Sequence, residues 1–80
     1  MMRVRVRYFA SFREATGIDD EWVDTDAKNL RALFDEAMAR HAGLDHEPAA
    51  LVAVNDCMAD WDARVGEGDE VLFFPPVAGG

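Results

Sequence analysis

The sequence predicts an α+β fold in which one main helix packs across a mixed sheet. Three observations carry that prediction: strict alternation of apolar and charged residues near the N-terminus, one stretch with helical apolar spacing, and short apolar runs between turn residues after it. The order strand, strand, helix, then strands sets the helix against one face of a single sheet. A chain of 80 residues, half of them hydrophobic, has material for one packed core and no second domain.

Taken in order, Arg3-Val4-Arg5-Val6-Arg7-Tyr8-Phe9 places Val4, Val6 and Tyr8 on one face and the arginines on the other, the pattern of a half-buried strand. Ala10 to Thr16 ends at Gly17 and reads as one helical turn or an irregular loop. A second strand at about residues 18 to 24 makes a hairpin with a long connection. Asp26 is the expected cap of the helix, whose Leu30, Leu33, Phe34, Ala37, Met38 and His41 follow the i, i+3, i+4, i+7 rule, with Gly43 just past its end. Asp45 to Pro48 is loop, and the continuous apolar run Ala50-Leu51-Val52-Ala53-Val54 suits a buried strand. Asn55-Asp56 reads as a turn, Cys57 to Ala59 as a short return strand, Gly66 to Gly68 as another turn, and Asp69 to Phe74 as the last strand. The chain thus divides into a globule over residues 1–74 and an extended, flexible tail over residues 75–80. In that tail Pro75 and Pro76 oppose sheet pairing, and Gly79 and Gly80 have no side chain to pack.

Composition narrows the function classes. Sixteen acidic residues against eight basic ones give a net charge of −8, which opposes nucleic-acid phosphates and anionic membrane surfaces, so neither is an expected partner. The same acidity is suited to steering the chain toward basic partner surfaces. No apolar stretch approaches the ~20 residues of a membrane span, and the alternating N-terminus is unlike a signal peptide; the expected location is the cytoplasm. A single cysteine, Cys57, excludes an intrachain disulfide, and with only His41 and His46 beside it no metal site is expected. His41 reads as a helix end, His46 as a loop residue, Arg13-Glu14 as a tie between the first loop and the sheet, and Asp19-Asp20-Glu21 as a solvated hairpin edge. No Ser/His/Asp arrangement, phosphate-cradling glycine loop or acid/base carboxylate pair is present, so no active site of the chain's own is expected.

The tail is the remaining chemical feature. Two prolines stiffen its base toward polyproline II, and six extended residues at ~3.1 Å each reach roughly 19 Å. A carboxylate at Gly80 therefore stands on an arm that can enter a partner's pocket, and glycine at the last two positions lets that arm thread a narrow channel. A carboxylate is a poor acyl donor at neutral pH, so its use requires activation, as in an acyl-adenylate that a sulfur nucleophile then attacks. The product of that route is a terminal thiocarboxylate.

Three segments extend this reading: Tyr8-Phe9-Ala10-Ser11-Phe12-Arg13-Glu14-Ala15-Thr16-Gly17, Val52-Ala53-Val54-Asn55, and Gly68-Asp69-Glu70-Val71-Leu72-Phe73-Phe74-Pro75-Pro76-Val77-Ala78-Gly79-Gly80. With them the whole chain resembles the MoaD/ThiS sulfur carriers, and the Phe-Pro-Pro-Val segment points to the branch that serves molybdopterin synthase. Ala78 stands where that family frequently has Ser or Thr. The resemblance implies a ubiquitin-like β-grasp fold and adenylation of Gly80 by an ATP-dependent enzyme related to those that activate ubiquitin. It further implies conversion of Gly80 to a thiocarboxylate by a sulfur donor such as a cysteine desulfurase or a rhodanese-type protein. The tail, Pro75, Pro76, Val77, Ala78, Gly79 and Gly80, then threads into the catalytic large subunit, where sulfur passes to cyclic pyranopterin monophosphate. A two-plus-two heterotetramer and the lack of any permanently bound cofactor are also implied. The alternatives are a carrier for thiamine thiazole, tRNA thiolation or cysteine synthesis, a modifier conjugated to lysines, or an inert β-grasp interaction module.

The β-grasp fold makes the first and last strands neighbours. Alternation then places Val71 and Phe73 inward and Leu72 and Phe74 outward, while Phe9 shares the outer face of the arginines. Phe9 and Phe74, extended by Met58, are thus expected to form an exposed apolar patch at the root of the tail that partners grip.

Overall fold

The computed structural model describes residues 1–76. Its first strand, β1 (Met2–Tyr8), buries Val4, Val6 and Tyr8 as their alternation requires. The elements that follow are α1 (Ala10–Thr16), β2 (Asp20–Thr25), α2 (Leu30–Arg40), β3 (Leu51–Val54), β4 (Cys57–Ala59) and β5 (Glu70–Phe74). All five strands form one mixed sheet in the order β2-β1-β5-β3-β4. In it β1 runs antiparallel to β2 and parallel to β5, and β3 runs antiparallel to both β4 and β5.

The segment after β1 resolves into a true helix, α1, which buries Phe12 and ends at Gly17 in the left-handed region, φ 78°. The main helix α2 turns Leu30, Leu33, Phe34 and Ala37 onto the sheet, as the apolar spacing predicts. Its cap, however, is Asn29, whose Oδ1 accepts from the Ala32 amide at 2.8 Å; Asp26 is not the cap. The chain ahead of the helix is committed elsewhere. The Ala27 amide donates to the Thr25 hydroxyl at 2.9 Å, and the helix does not begin until Leu30. At the other end His41 closes the helix in an extended conformation, so Gly43 is not a helix terminator. It serves a close approach instead: a Cβ there would lie 2.8 Å from the Ala15 carbonyl oxygen, so any side chain would push α1 away.

Aromatic rings fill the space between helix and sheet. Phe34 packs edge-on to Phe73 with ring centroids 4.8 Å apart and meets Phe12 and Trp61 at 5.5 and 5.6 Å. The hairpin between β3 and β4 turns on Asn55 and Asp56, both at positive φ (50° and 69°), the geometry of a two-residue connection. Asn55 also secures the start of β5, accepting from the Glu70 amide and donating to Asp69 Oδ1, each at 3.0 Å.

The acidic run Asp19-Asp20-Glu21 is not simply a solvated edge. Asp20 accepts from Arg5 Nε at 2.6 Å, and Glu21 turns inward to bind three groups from β1 and α2. Its Oε2 accepts from the Tyr8 hydroxyl at 2.6 Å, from His41 Nε2 at 2.8 Å and from Arg40 at 3.3 Å. Burial pushes the Glu21 carboxyl up, but the bonds from Tyr8 and His41 and the Arg40 charge outweigh it and hold the group below the usual glutamate range. Burial first, and then the Glu21 carboxylate, raise the Tyr8 phenol far above its ordinary value. A depressed carboxyl stabilises the fold above its unfolded value, and that contribution is lost as pH falls through the folded one. Glu21→Gln is therefore expected to cost about 1–3 kcal/mol at pH 7. The gap to wild type should close as pH drops below about 4.3. Urea titrations at pH 7 and pH 3 check this; an equal gap at both would show that the Glu21 charge is not what matters.

Candidate functional site

Parallel pairing of β1 with β5 brings their C-terminal ends together, with Tyr8 opposite Phe73. The next residue in each strand direction is a phenylalanine, and the rings of Phe9 and Phe74 stack with centroids 4.7 Å apart and 17° between planes. Ala10 then takes φ 49°, a left-handed value that costs a non-glycine residue of the order of 1 kcal/mol. This sharp step turns the chain into α1 while Phe9 stays extended at the sheet end. The Arg7 guanidinium lies 5.5 Å from the Phe9 ring centroid, and Arg7 pairs with Glu70 at 3.9 Å.

Beside this stack lies a cleft of about 600 Å³. Phe9 and Phe74 form one wall with Ala10 and Ser11; Leu51, Met58, Pro75 and Pro76 complete it. The register explains the grouping: Leu51 of β3 faces Phe74 of β5, and Met58 of β4 faces Ala53 two residues further along β3, on the same side of the sheet. Leu51 and Met58 are 53% and 62% exposed, whereas Phe9, Phe74, Pro75 and Pro76 are half-buried by their mutual packing. The walls carry no ionised side chain, so the site offers an apolar socket. Among the described residues no group of three His, Cys, Asp or Glu side chains is placed to hold a metal.

The structure thus brings together Phe9, Met58 and Phe74, and adds the first two residues of the tail, Pro75 and Pro76. Val77, Ala78, Gly79 and Gly80 lie outside the described residues. Leu72 shares the outer face but is only 8% exposed, because β5 is central and Leu72 sits between Arg7 and Ala53. Leu51 was not anticipated, since the run from Ala50 to Val54 suggested burial on both faces. Period-two alternation contains the missing signal: once Val52 faces the helix, Leu51 must face away. Cys57 is exposed and free, and His46 is exposed in its loop; neither touches the cleft.

The sequence profile described as the ThiS family matches residues 6–80. The chain belongs to the ThiS family. The Escherichia coli protein named molybdopterin synthase sulfur carrier subunit is 38% identical over 80 residues, covering 96% of this chain and 99% of that one. The putative molybdopterin converting factor subunit 1 of Pyrococcus furiosus superposes with a TM-score of 0.83 at 32% identity, over 96% of this chain and 100% of the other. A chain in the complex of subunits 1 and 2 of the Helicobacter pylori molybdopterin-converting factor superposes with a TM-score of 0.66 at 26% identity, over 99% and 100%. For this ThiS-family chain the expected ubiquitin-like β-grasp fold is therefore borne out. No helix among the described residues is long and apolar enough to cross a membrane.

Proposed function

We propose that the chain is the sulfur-carrier subunit of a molybdopterin synthase, with the Gly80 carboxylate as its working group. The observation that carries this reading is the apolar cleft built around Phe9, Leu51, Met58 and Phe74 at the root of the Pro75-Pro76 arm, in a chain similar over its length to sulfur-carrier subunits. An activating enzyme binds ATP, the Gly80 carboxylate attacks its α-phosphorus, and pyrophosphate leaves. The outer sulfur of a donor's persulfide then attacks the acyl carbon of the adenylate and AMP leaves; a thiol pair reduces the resulting acyl disulfide, which frees the donor's cysteine and leaves a thiocarboxylate on Gly80. The large subunit holds the globule by its cleft while residues 75–80 deliver the sulfur to cyclic pyranopterin monophosphate. The chain supplies a handle and an acyl end, and the reacting pocket belongs to the partner.

Intact-mass analysis after incubation with ATP, an activating enzyme and a sulfur donor tests the reading. The C-terminal peptide is expected to gain the mass of one oxygen-to-sulfur exchange, and a chain that never does so is not a carrier. Deletion of Gly80 is expected to abolish loading with no loss of thermal stability, because a terminal residue contributes little to folding. A pull-down identifies the acceptor: recovery of a pterin-binding large subunit supports molybdopterin synthesis, and recovery of a thiazole synthase moves the chain to a sister pathway.

A further inference from the structure

The sheet has two edges, and they differ. β4 is three residues long and borders the cleft, whereas β2 is six residues long and lies at the opposite side, separated from the β3–β4 pair by β1 and β5. The direction of β2's free backbone groups follows from its pairing. The Tyr8 amide donates to the Asp19 carbonyl at 2.9 Å, and antiparallel partners alternate between bonded and non-bonded pairs. Asp19, Glu21, Val23 and Thr25 therefore spend their backbone bonds on β1. Those of Asp20, Trp22 and Asp24 point out of the sheet, along an unbroken register with no proline.

The side chains at those three positions lie on the outer face. Trp22 is 53% exposed, although the guanidinium groups of Arg3 and Arg5 approach its ring from the β1 side at 5.7 and 6.0 Å. Asp24 is exposed and has no ion-pair partner among the described residues. No basic residue occurs from Ile18 to Ala27; of the acids there, Glu21 turns inward, Asp19 and Asp20 are shared with Arg13 and Arg5, and Asp24 stands unpaired on the outer face among the described residues. Such an edge repels its own copy, since antiparallel self-pairing centred on Trp22 sets Asp20 against Asp24 on both sides. It suits a strand of opposite charge, and β1, with arginine at every second position, is already such a strand on its inner side.

We infer that β2 is a second docking edge, which takes an extended basic segment of a partner protein as a sixth strand. Main-chain bonds to Asp20, Trp22 and Asp24 give the affinity, and alternate arginines beside the two aspartates and over Trp22 give the selectivity. Because β1 and β5 intervene, this edge is occupied without displacing whatever fills the cleft.

The test is an NMR titration of the ¹⁵N-labelled full chain with a capped Arg-Val-Arg-Val-Arg peptide. Shifts are expected at the amides of Asp20, Trp22 and Asp24 and at the Trp22 indole, and not at Leu51, Met58 or Phe74. The pair Trp22→Ser with Asp24→Asn is expected to weaken binding about tenfold or more. A peptide N-methylated at its central arginine keeps the charge but loses a main-chain donor, and it should bind comparably weakly. Several outcomes overturn the inference: no shift at millimolar peptide, shifts scattered over all acidic residues, shifts in the cleft, or equal binding by the N-methylated peptide. Concentration-dependent self-association abolished by Trp22→Ser would also overturn it, by assigning the edge to a second copy.

Discussion

Replacing Leu51 and Met58 together by aspartate is expected to weaken capture by the large subunit by about 10³-fold while the domain stays folded. Both side chains stand in the cleft and are more than half exposed, so they are free to bury apolar area against a partner. Central apolar anchors commonly contribute about 2 kcal/mol or more when truncated, and each 1.4 kcal/mol is a factor of ten. Charged replacements add the desolvation of two carboxylates in an apolar socket. Fold stability should change little, since exposed substitutions away from special features usually stay within about 0.5 kcal/mol, with up to about 1 kcal/mol more for aspartate in a strand. Calorimetry with the large subunit and a thermal melt of the free chain measure the two effects. Unchanged affinity would remove the cleft from the interface, and a collapsed melt would show that Leu51 or Met58 is structural.

The largest effect on stability is expected from Phe34→Ala. Phe34 is 1% exposed and its ring lies against Phe12, Trp61 and Phe73, so truncation leaves a hole bounded by three rigid rings from α1, the loop before β5 and β5 itself. Phenylalanine-to-alanine changes in cores cost about 3–5 kcal/mol, and domains of this kind have a total of about 5–15 kcal/mol. At about 4–8 °C per kcal/mol for a domain of this size, the melting temperature should fall by roughly 15–30 °C. Circular dichroism on heating reads this directly. A fall of only about 5 °C would mean that the rings collapse into the space. The half-buried Met38 of the same helix is the internal comparison, and Met38→Ala should cost clearly less.

The elements that sequence reasoning located correctly are those specified by neighbours along the chain. Alternation from Arg3 to Phe9 set the buried face of β1, and the spacing of Leu30, Leu33, Phe34 and Ala37 set the face of α2. Asn55-Asp56 and Gly68 took the positive φ values that their turns need. The errors lie where other contacts decide a residue's role. Asp26 is a good cap by type, but the Thr25 hydroxyl holds the Ala27 amide, the helix begins only at Leu30, and Asn29 caps instead. Gly43 looked like a helix stop, yet its lack of a side chain is required by the passage of α1. Glu21 looked like part of a charged edge until Tyr8, His41 and Arg40 converged on it.

The candidate site divides the same way. By itself the sequence determined the Pro75-Pro76 pair and the apolar identity of Phe9, Met58 and Phe74, because bulk and hydrophobicity are properties of residues and short segments. Only the tertiary structure decided that the patch expected of Phe9, Met58 and Phe74 is a cleft, that Leu51 belongs to it, and that Pro75 and Pro76 complete its wall. The physical reason is the parallel pairing of β1 with β5, a contact between opposite ends of the chain. Its register, which local patterning does not encode, sets Phe9 against Phe74.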